Sequence, residues 1–125
     1  ARAAGAEAVT LVNTVMGMVI DVETRRPVLG GRSGGLSGPA IHPVAVRAVH
    51  DVHAALPDLP IVGVGGVATA IDAVELLLAG ASAVQVGTAS FADPRSVITV
   101  LDGMESWCRR HGVARVASLT GQVQR

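Results

Sequence analysis

Short aliphatic runs alternate with helical stripes along the chain. Ala8-Val9-Thr10-Leu11-Val12 is apolar and rich in β-branched residues, and it stops at the polar pair Asn13-Thr14. That pattern predicts a buried strand with polar side chains at its C-terminal end. Pro60-Ile61-Val62-Gly63-Val64 and Ala83-Val84-Gln85-Val86 repeat it, ending at Gly65-Gly66 and Gly87-Thr88. From Pro43 to about Leu56, the spacing of Ala45, Val49, Val52 and Leu56 predicts a helix. A second helix is expected over Ala70 to Ala79, with Thr69 as N-cap, Asp72 at the capping-box position and Gly80 as C-cap. A third should start at Asp93-Pro94 and stop at Gly112, and a last short one should carry Val113, Val116, Leu119 and Val123.

Between Val15 and Gly38 the pattern breaks. Met18 to Val22 and Pro27 to Leu29 flank the polar turn Glu23-Thr24-Arg25-Arg26, which predicts a small hairpin; the glycine-rich stretch Gly30 to Gly38 then reads as loop. The whole order is strand, excursion, helix, strand, helix, strand, helix, helix. It calls for parallel strands joined by crossovers, with helices on one side: a slice of a (β/α)8 barrel of about three β/α units with a hairpin insertion. A complete barrel needs roughly 250 residues, so 125 residues are read as one partial domain spanning 1–125.

Composition sharpens this. Half the residues are apolar, but there is one Phe, one Trp and no Tyr, so the core must be built from Val, Ala, Leu and Ile, as buried parallel strands are. Ten basic residues, all Arg, balance ten acidic ones, leaving no excess charge for nucleic acid or an anionic membrane surface. Ala73 to Ala83 is interrupted by Glu75 and too short to span a bilayer. The single cysteine, Cys108, forms no internal disulfide, which fits a cytoplasmic location, and its neighbours Met104 and Trp107 suggest packing rather than nucleophilic chemistry. His42, His50, His53 and His111 lack metal-ligand spacing and read as solvated helix faces.

In parallel α/β proteins ligands sit at the C-terminal strand ends, and barrels often hold phosphate on the last two strand loops. Gly65-Gly66 and Gly87-Thr88 fit that role: glycine lets main-chain N–H groups approach the anion, a helix N-terminus adds donors, and Thr88 adds a hydroxyl. The same glycines also suit tight β-to-α turns, and for either pair alone the two readings stand level; two such ends in consecutive units favour phosphate. Gly63-Val64-Gly65-Gly66-Val67-Ala68 matches the dinucleotide fingerprint, but Ser82 to Thr88 lacks the acidic residue that would take the ribose. Asn13 and Thr14 are placed either to read the edge of a planar heterocycle or to cap the strand end.

Asn13-Thr14-Val15-Met16-Gly17-Met18, Ile20-Asp21, Gly34-Gly35-Leu36-Ser37-Gly38-Pro39-Ala40, Pro43-Val44-Ala45, Gly63-Val64-Gly65-Gly66-Val67 and Ala79 to Ala89 together resemble the dihydroorotate dehydrogenase family. The pieces follow the family's order over nearly the whole chain. The Asn-Thr pair and Gly-Gly-Leu-Ser-Gly-Pro-Ala resemble its heterotetrameric, NAD-linked bacterial class. The resemblance implies an FMN enzyme oxidising dihydroorotate to orotate in pyrimidine biosynthesis. It also implies a homo-oligomeric catalytic subunit and a partner subunit with FAD and an iron-sulfur cluster. Carried over by position, Asn13 and Thr14 would contact the pyrimidine, Val12 and Gly38 would lie against the flavin, and Gly65, Gly66, Gly87 and Thr88 would hold its phosphate. The family's loop cysteine base and flavin-contacting lysine have no counterpart: the chain has no Lys, and Cys108 lies elsewhere. Both are expected upstream, so the isolated segment is expected to be inactive and, with open sheet edges, marginally stable and prone to associate. The FMN domain of a dihydropyrimidine dehydrogenase resembles the chain around Asn13-Thr14 and Ser37-Gly38, and a non-catalytic phosphate-binding module is the alternative of another class.

Overall fold

The computed structural model describes residues 1–123. In chain order its elements are β1 (Val9–Leu11), β2 (Val15–Gly17), β3 (Ile20–Asp21), β4 (Arg26–Pro27), β5 (Gly34–Leu36), α1 (His42–Ala55), β6 (Ile61–Val64), α2 (Ala70–Ala79), β7 (Ala83–Gln85), α3 (Ala89–Ala92) and α4 (Ser96–Arg110). A parallel sheet in the order β1-β6-β7 forms the centre, with Leu11, Gly63 and Val84 in one row across it. The strand-helix alternation and parallel sheet are those of a partial (β/α)8 barrel.

The strands alternate as their sequences require. Val9, Leu11, Ile61 and Val84 face a core made with Ala45 and Val49 of α1, Ala73 and Leu76 of α2, and Val100 of α4, while Thr10 and Gln85 are exposed on the other side. Small residues let α2 lie close to the sheet: a Cβ added at Gly63 would stand 3.0 Å from Ala81 Cβ and 3.2 Å from Leu76 Cβ. A second cluster joins Val74 and Leu77 of α2 to Cys108 of α4 and Leu119. Leu76 is completely buried; truncating such a side chain to Ala costs about 2–5 kcal/mol.

Helix α2 has the expected ends. The Thr69 hydroxyl accepts the Asp72 N–H, the Asp72 carboxylate accepts the Thr69 N–H, and Gly80 closes the helix with its N–H on Leu76 and Leu77. Elsewhere the boundaries differ from the sequence expectation. Helix α4 does not start at Asp93-Pro94: Asp93 is held extended, as a residue before proline must be, and terminates the single turn α3. The last segment is a 3-10 turn over Val116–Leu119, after which the Val123 N–H bonds the Leu78 carbonyl at 3.2 Å and keeps the tail against α2.

The excursion holds more structure than a hairpin and a loop. Its tip is a short β3–β4 ladder whose turn is drawn in by Asp21, the carboxylate accepting the N–H of Glu23 at 2.9 Å and of Thr24 at 3.1 Å. Those donors, Thr24 first, hold the Asp21 carboxyl below the ordinary carboxylate range. The glycine-rich run is not irregular throughout: Gly34–Leu36 pairs antiparallel with Val15–Gly17. Glycines there read as loop, yet at Gly35 they leave room for Thr14, whose side chain an added Cβ would overlap.

Candidate functional site

The C-terminal tips of the three parallel strands converge on one cavity of about 210 Å³. Val12, Asn13 and Thr14 enter it from β1, and Ser37 and Gly38 from the segment after β5. Gly65 and Gly66 enter from β6, and Gly87 and Thr88 from β7. All eight residues singled out in the sequence therefore share one space. A neighbouring cavity of about 360 Å³ shares Gly38, Gly66 and Thr88 and extends over Ala89 to Ser96 and Thr99. No helix of the described residues is long and apolar enough to cross a membrane.

The glycines do different work. Gly65 and Gly66 have φ of 136° and 70°, which L side chains rarely adopt, and both pack tightly on their far side. A Cβ on Gly65 would stand 2.7 Å from Ala45 Cβ; one on Gly66 would stand 2.7 Å from His42 Cβ and 2.8 Å from the Gly38 carbonyl oxygen. These two glycines thus bring the β6 tip onto α1, a reason beyond room for a ligand. Gly87 differs: among the described residues nothing lies within 4 Å of its Cβ position, so its bareness faces open space.

Among the described residues, none accepts a hydrogen bond from the main-chain N–H of Gly66, Gly87 or Thr88. The start of α2 is not available in the same way, because Asp72 takes the N–H of Ala68 at 3.0 Å and of Thr69 at 2.7 Å. Burial pushes the Asp72 carboxyl upward, but these donors, the Thr69 hydroxyl and nearby His42 outweigh it, and the carboxyl lies below its ordinary range. A charged carboxylate occupies the α2 terminus, so an anion is served by the free N–H groups of the β6 and β7 tips instead. Among the described residues no Arg side chain lines either cavity. The chemistry offered at the strand tips is a cradle of main-chain N–H donors with the Thr88 hydroxyl, suited to an anionic oxygen.

At the mouth, the Asn13 side-chain oxygen accepts the Thr14 N–H at 2.7 Å. The capping role is thus present, and it leaves the Asn13 amide N–H groups as donors. His42, read from sequence as a solvated helix face, is instead buried, with Nδ1 2.8 Å from the Gly65 carbonyl oxygen and Nε2 3.2 Å from Glu75 Oε2. The signal was its spacing to Ala45 and Val49, which puts all three on the buried stripe of α1. Cys108 is buried in the α2–α4 cluster, away from the strand tips.

A parallel barrel-type sheet whose strand tips gather glycines, free N–H groups and an amide around one cavity defines an α/β protein of the barrel class with its candidate site at the C-terminal strand ends. The chain belongs to the dihydroorotate dehydrogenase family, whose sequence model matches residues 1–107. It is 54% identical over 121 residues to the dihydroorotate dehydrogenase B (NAD(+)) catalytic subunit of Pelobacter propionicus, covering 97% of this chain and 40% of that protein. The proteins of the same name from Trichlorobacter lovleyi (51% identical, 97% and 40% covered) and Porphyromonas gingivalis (50% identical, 95% and 38% covered) match similarly. The chain thus spans about 40% of the length of the curated relatives it matches.

Proposed function

We propose that residues 1–125 form the C-terminal part of the barrel of an FMN-dependent dihydroorotate dehydrogenase catalytic subunit, which oxidises (S)-dihydroorotate to orotate in pyrimidine biosynthesis. The observation that carries this is the single cavity uniting Val12, Asn13, Thr14, Gly38, Gly65, Gly66, Gly87 and Thr88, in a chain whose relatives carry that enzyme's name. FMN, when bound, supplies the hydride acceptor. The N–H groups of Gly66, Gly87 and Thr88 and the Thr88 hydroxyl hold its phosphate; Gly65 shapes the loop that presents them. Val12 and Gly38 form the surface against the flavin. Asn13 donates from its amide to the pyrimidine edge, beside Thr14.

Among the described residues, those lining the cavity bear no titratable side chain. The group that removes the C5 proton therefore belongs to another part of the catalytic subunit, and the segment alone is expected not to turn over. The relatives' names, which print NAD(+) and a catalytic subunit, support electrons leaving toward NAD through a second subunit; the carriers proposed for that subunit, FAD and an iron-sulfur cluster, rest on the sequence resemblance alone. We place the assembly in the cytoplasm, with the catalytic subunit self-associating.

The test is a titration of the full-length apoprotein with FMN, wild type against Gly87→Ala, followed by assay with dihydroorotate and with dihydrouracil. Weaker FMN binding with an unaltered melting temperature, and activity on dihydroorotate alone, support the assignment. Unchanged FMN binding or a preference for dihydrouracil refutes it.

A further inference from the structure

His42 does not line either cavity, yet it holds the main chain that does. Its ring is buried in the first turn of α1 between the β6 tip and α2, with Gly65 O at 2.8 Å, Glu75 Oε2 at 3.2 Å and Asp72 Oδ1 at 3.9 Å. A carbonyl can only accept, so Nδ1 donates. The Gly65 carbonyl and the Gly66 N–H belong to the same trans peptide unit, where C=O and N–H point in opposite directions. Anchoring the carbonyl on His42 therefore turns the Gly66 N–H away from the imidazole and toward the cavity side. Such an anchor is needed because both flanking residues are glycines at positive φ, with no side chain to resist rotation of the peptide between them.

We propose that His42 is a positioning residue for the phosphate cradle: it locks the Gly65-Gly66 peptide so that the Gly66 N–H faces the flavin phosphate, while Glu75 borders the opposite edge of the ring, 3.2 Å from Nε2. This rests on the flavin-phosphate reading of the cavity. FMN and riboflavin differ only in the phosphate, so binding of both by the full-length apoprotein isolates the effect. In wild type FMN binds far more tightly than riboflavin. His42→Leu lowers FMN affinity about tenfold, the loss of one well-placed hydrogen bond, and leaves riboflavin affinity unchanged. His42→Asn, whose amide N–H can replace Nδ1–H, restores most of the preference. An equal loss of both ligands, or an FMN-to-riboflavin ratio unchanged in His42→Leu, overturns the positioning role while the phosphate site stands. A wild type that binds both flavins alike overturns the phosphate reading itself and this proposal with it. If His42→Leu does not fold, Glu75→Ala replaces it: a smaller drop in the same ratio supports the role, and no drop refutes it.

Discussion

The Asp72 carboxylate accepts the Thr69 main-chain N–H at 2.7 Å while the Thr69 hydroxyl accepts the Asp72 N–H at 3.4 Å, and this reciprocal pair starts the helix that gives residues to both core clusters. Removing such a cap costs about 1 kcal/mol, so Thr69→Ala and Asp72→Asn should each lower unfolding stability by about that much at neutral pH. The Asp72 carboxyl is held below its ordinary range in the folded state. Its stabilisation is therefore complete above the unfolded-state value and is lost as pH falls through the folded one. Denaturant titrations of wild type and Asp72→Asn should diverge at pH 7 and converge as the solution is acidified below the usual carboxylate range. A gap that widens in acid would contradict the assigned donors.

Gly66→Ala and Gly87→Ala should separate folding from binding. At Gly66 a methyl group meets His42 Cβ and the Gly38 carbonyl on a backbone at φ 70°, and strain of that kind costs on the order of 1–3 kcal/mol. At Gly87 the methyl group meets nothing within 4 Å. Thermal melts should therefore show Gly66→Ala destabilised and Gly87→Ala unchanged, whereas flavin titration should show both weakened. Equal melting temperatures for the two variants would rule out this division.

The three parallel strands, α2 with its caps and the gathering of strand tips were legible in the sequence because each rests on local pattern: aliphatic runs of three to five residues, a Thr-x-x-Asp box, and glycines where strands end. What was missed depends on partners distant in the chain. Gly34–Leu36 forms a strand only because Val15–Gly17 lies beside it, and glycine composition argues for a loop. His42 looks like a surface residue until its buried neighbours Ala45 and Val49 and the Gly65 carbonyl are considered together. Likewise Asp93-Pro94 resembles a helix start, but Ala89–Ala92 has already formed a turn that Asp93 ends.

Asn13 is the pyrimidine-reading residue of the proposal, and Asn13→Asp tests it with little change in shape. The oxygen that accepts the Thr14 N–H at 2.7 Å is retained, while the amide donors to the pyrimidine edge are lost and a negative charge is added beside an anionic ligand. Orotate affinity, followed through the flavin absorbance of the full-length protein, should fall by tenfold or more, with FMN content unchanged. An orotate affinity equal to wild type would remove Asn13 from the substrate site.

Cys108 should be inert in the reaction, although the resemblance noted in the sequence implies a cysteine base elsewhere in the catalytic subunit. The residue is 7% exposed and packs with Val74, Leu77 and Leu119 in the α2–α4 cluster, and it is not among the described residues that line the cavity at the strand tips. Exposure controls thiol reactivity, so a thiol reagent should modify Cys108 only as urea unfolds the protein. Cys108→Ser places a hydroxyl in that apolar cluster and should cost about 1–3 kcal/mol of stability. Cys108→Ala should leave dihydroorotate turnover by the full-length protein at the wild-type rate. A large fall in turnover for Cys108→Ala at full FMN occupancy would show the buried thiol to be coupled to the chemistry and would undo its assignment to packing.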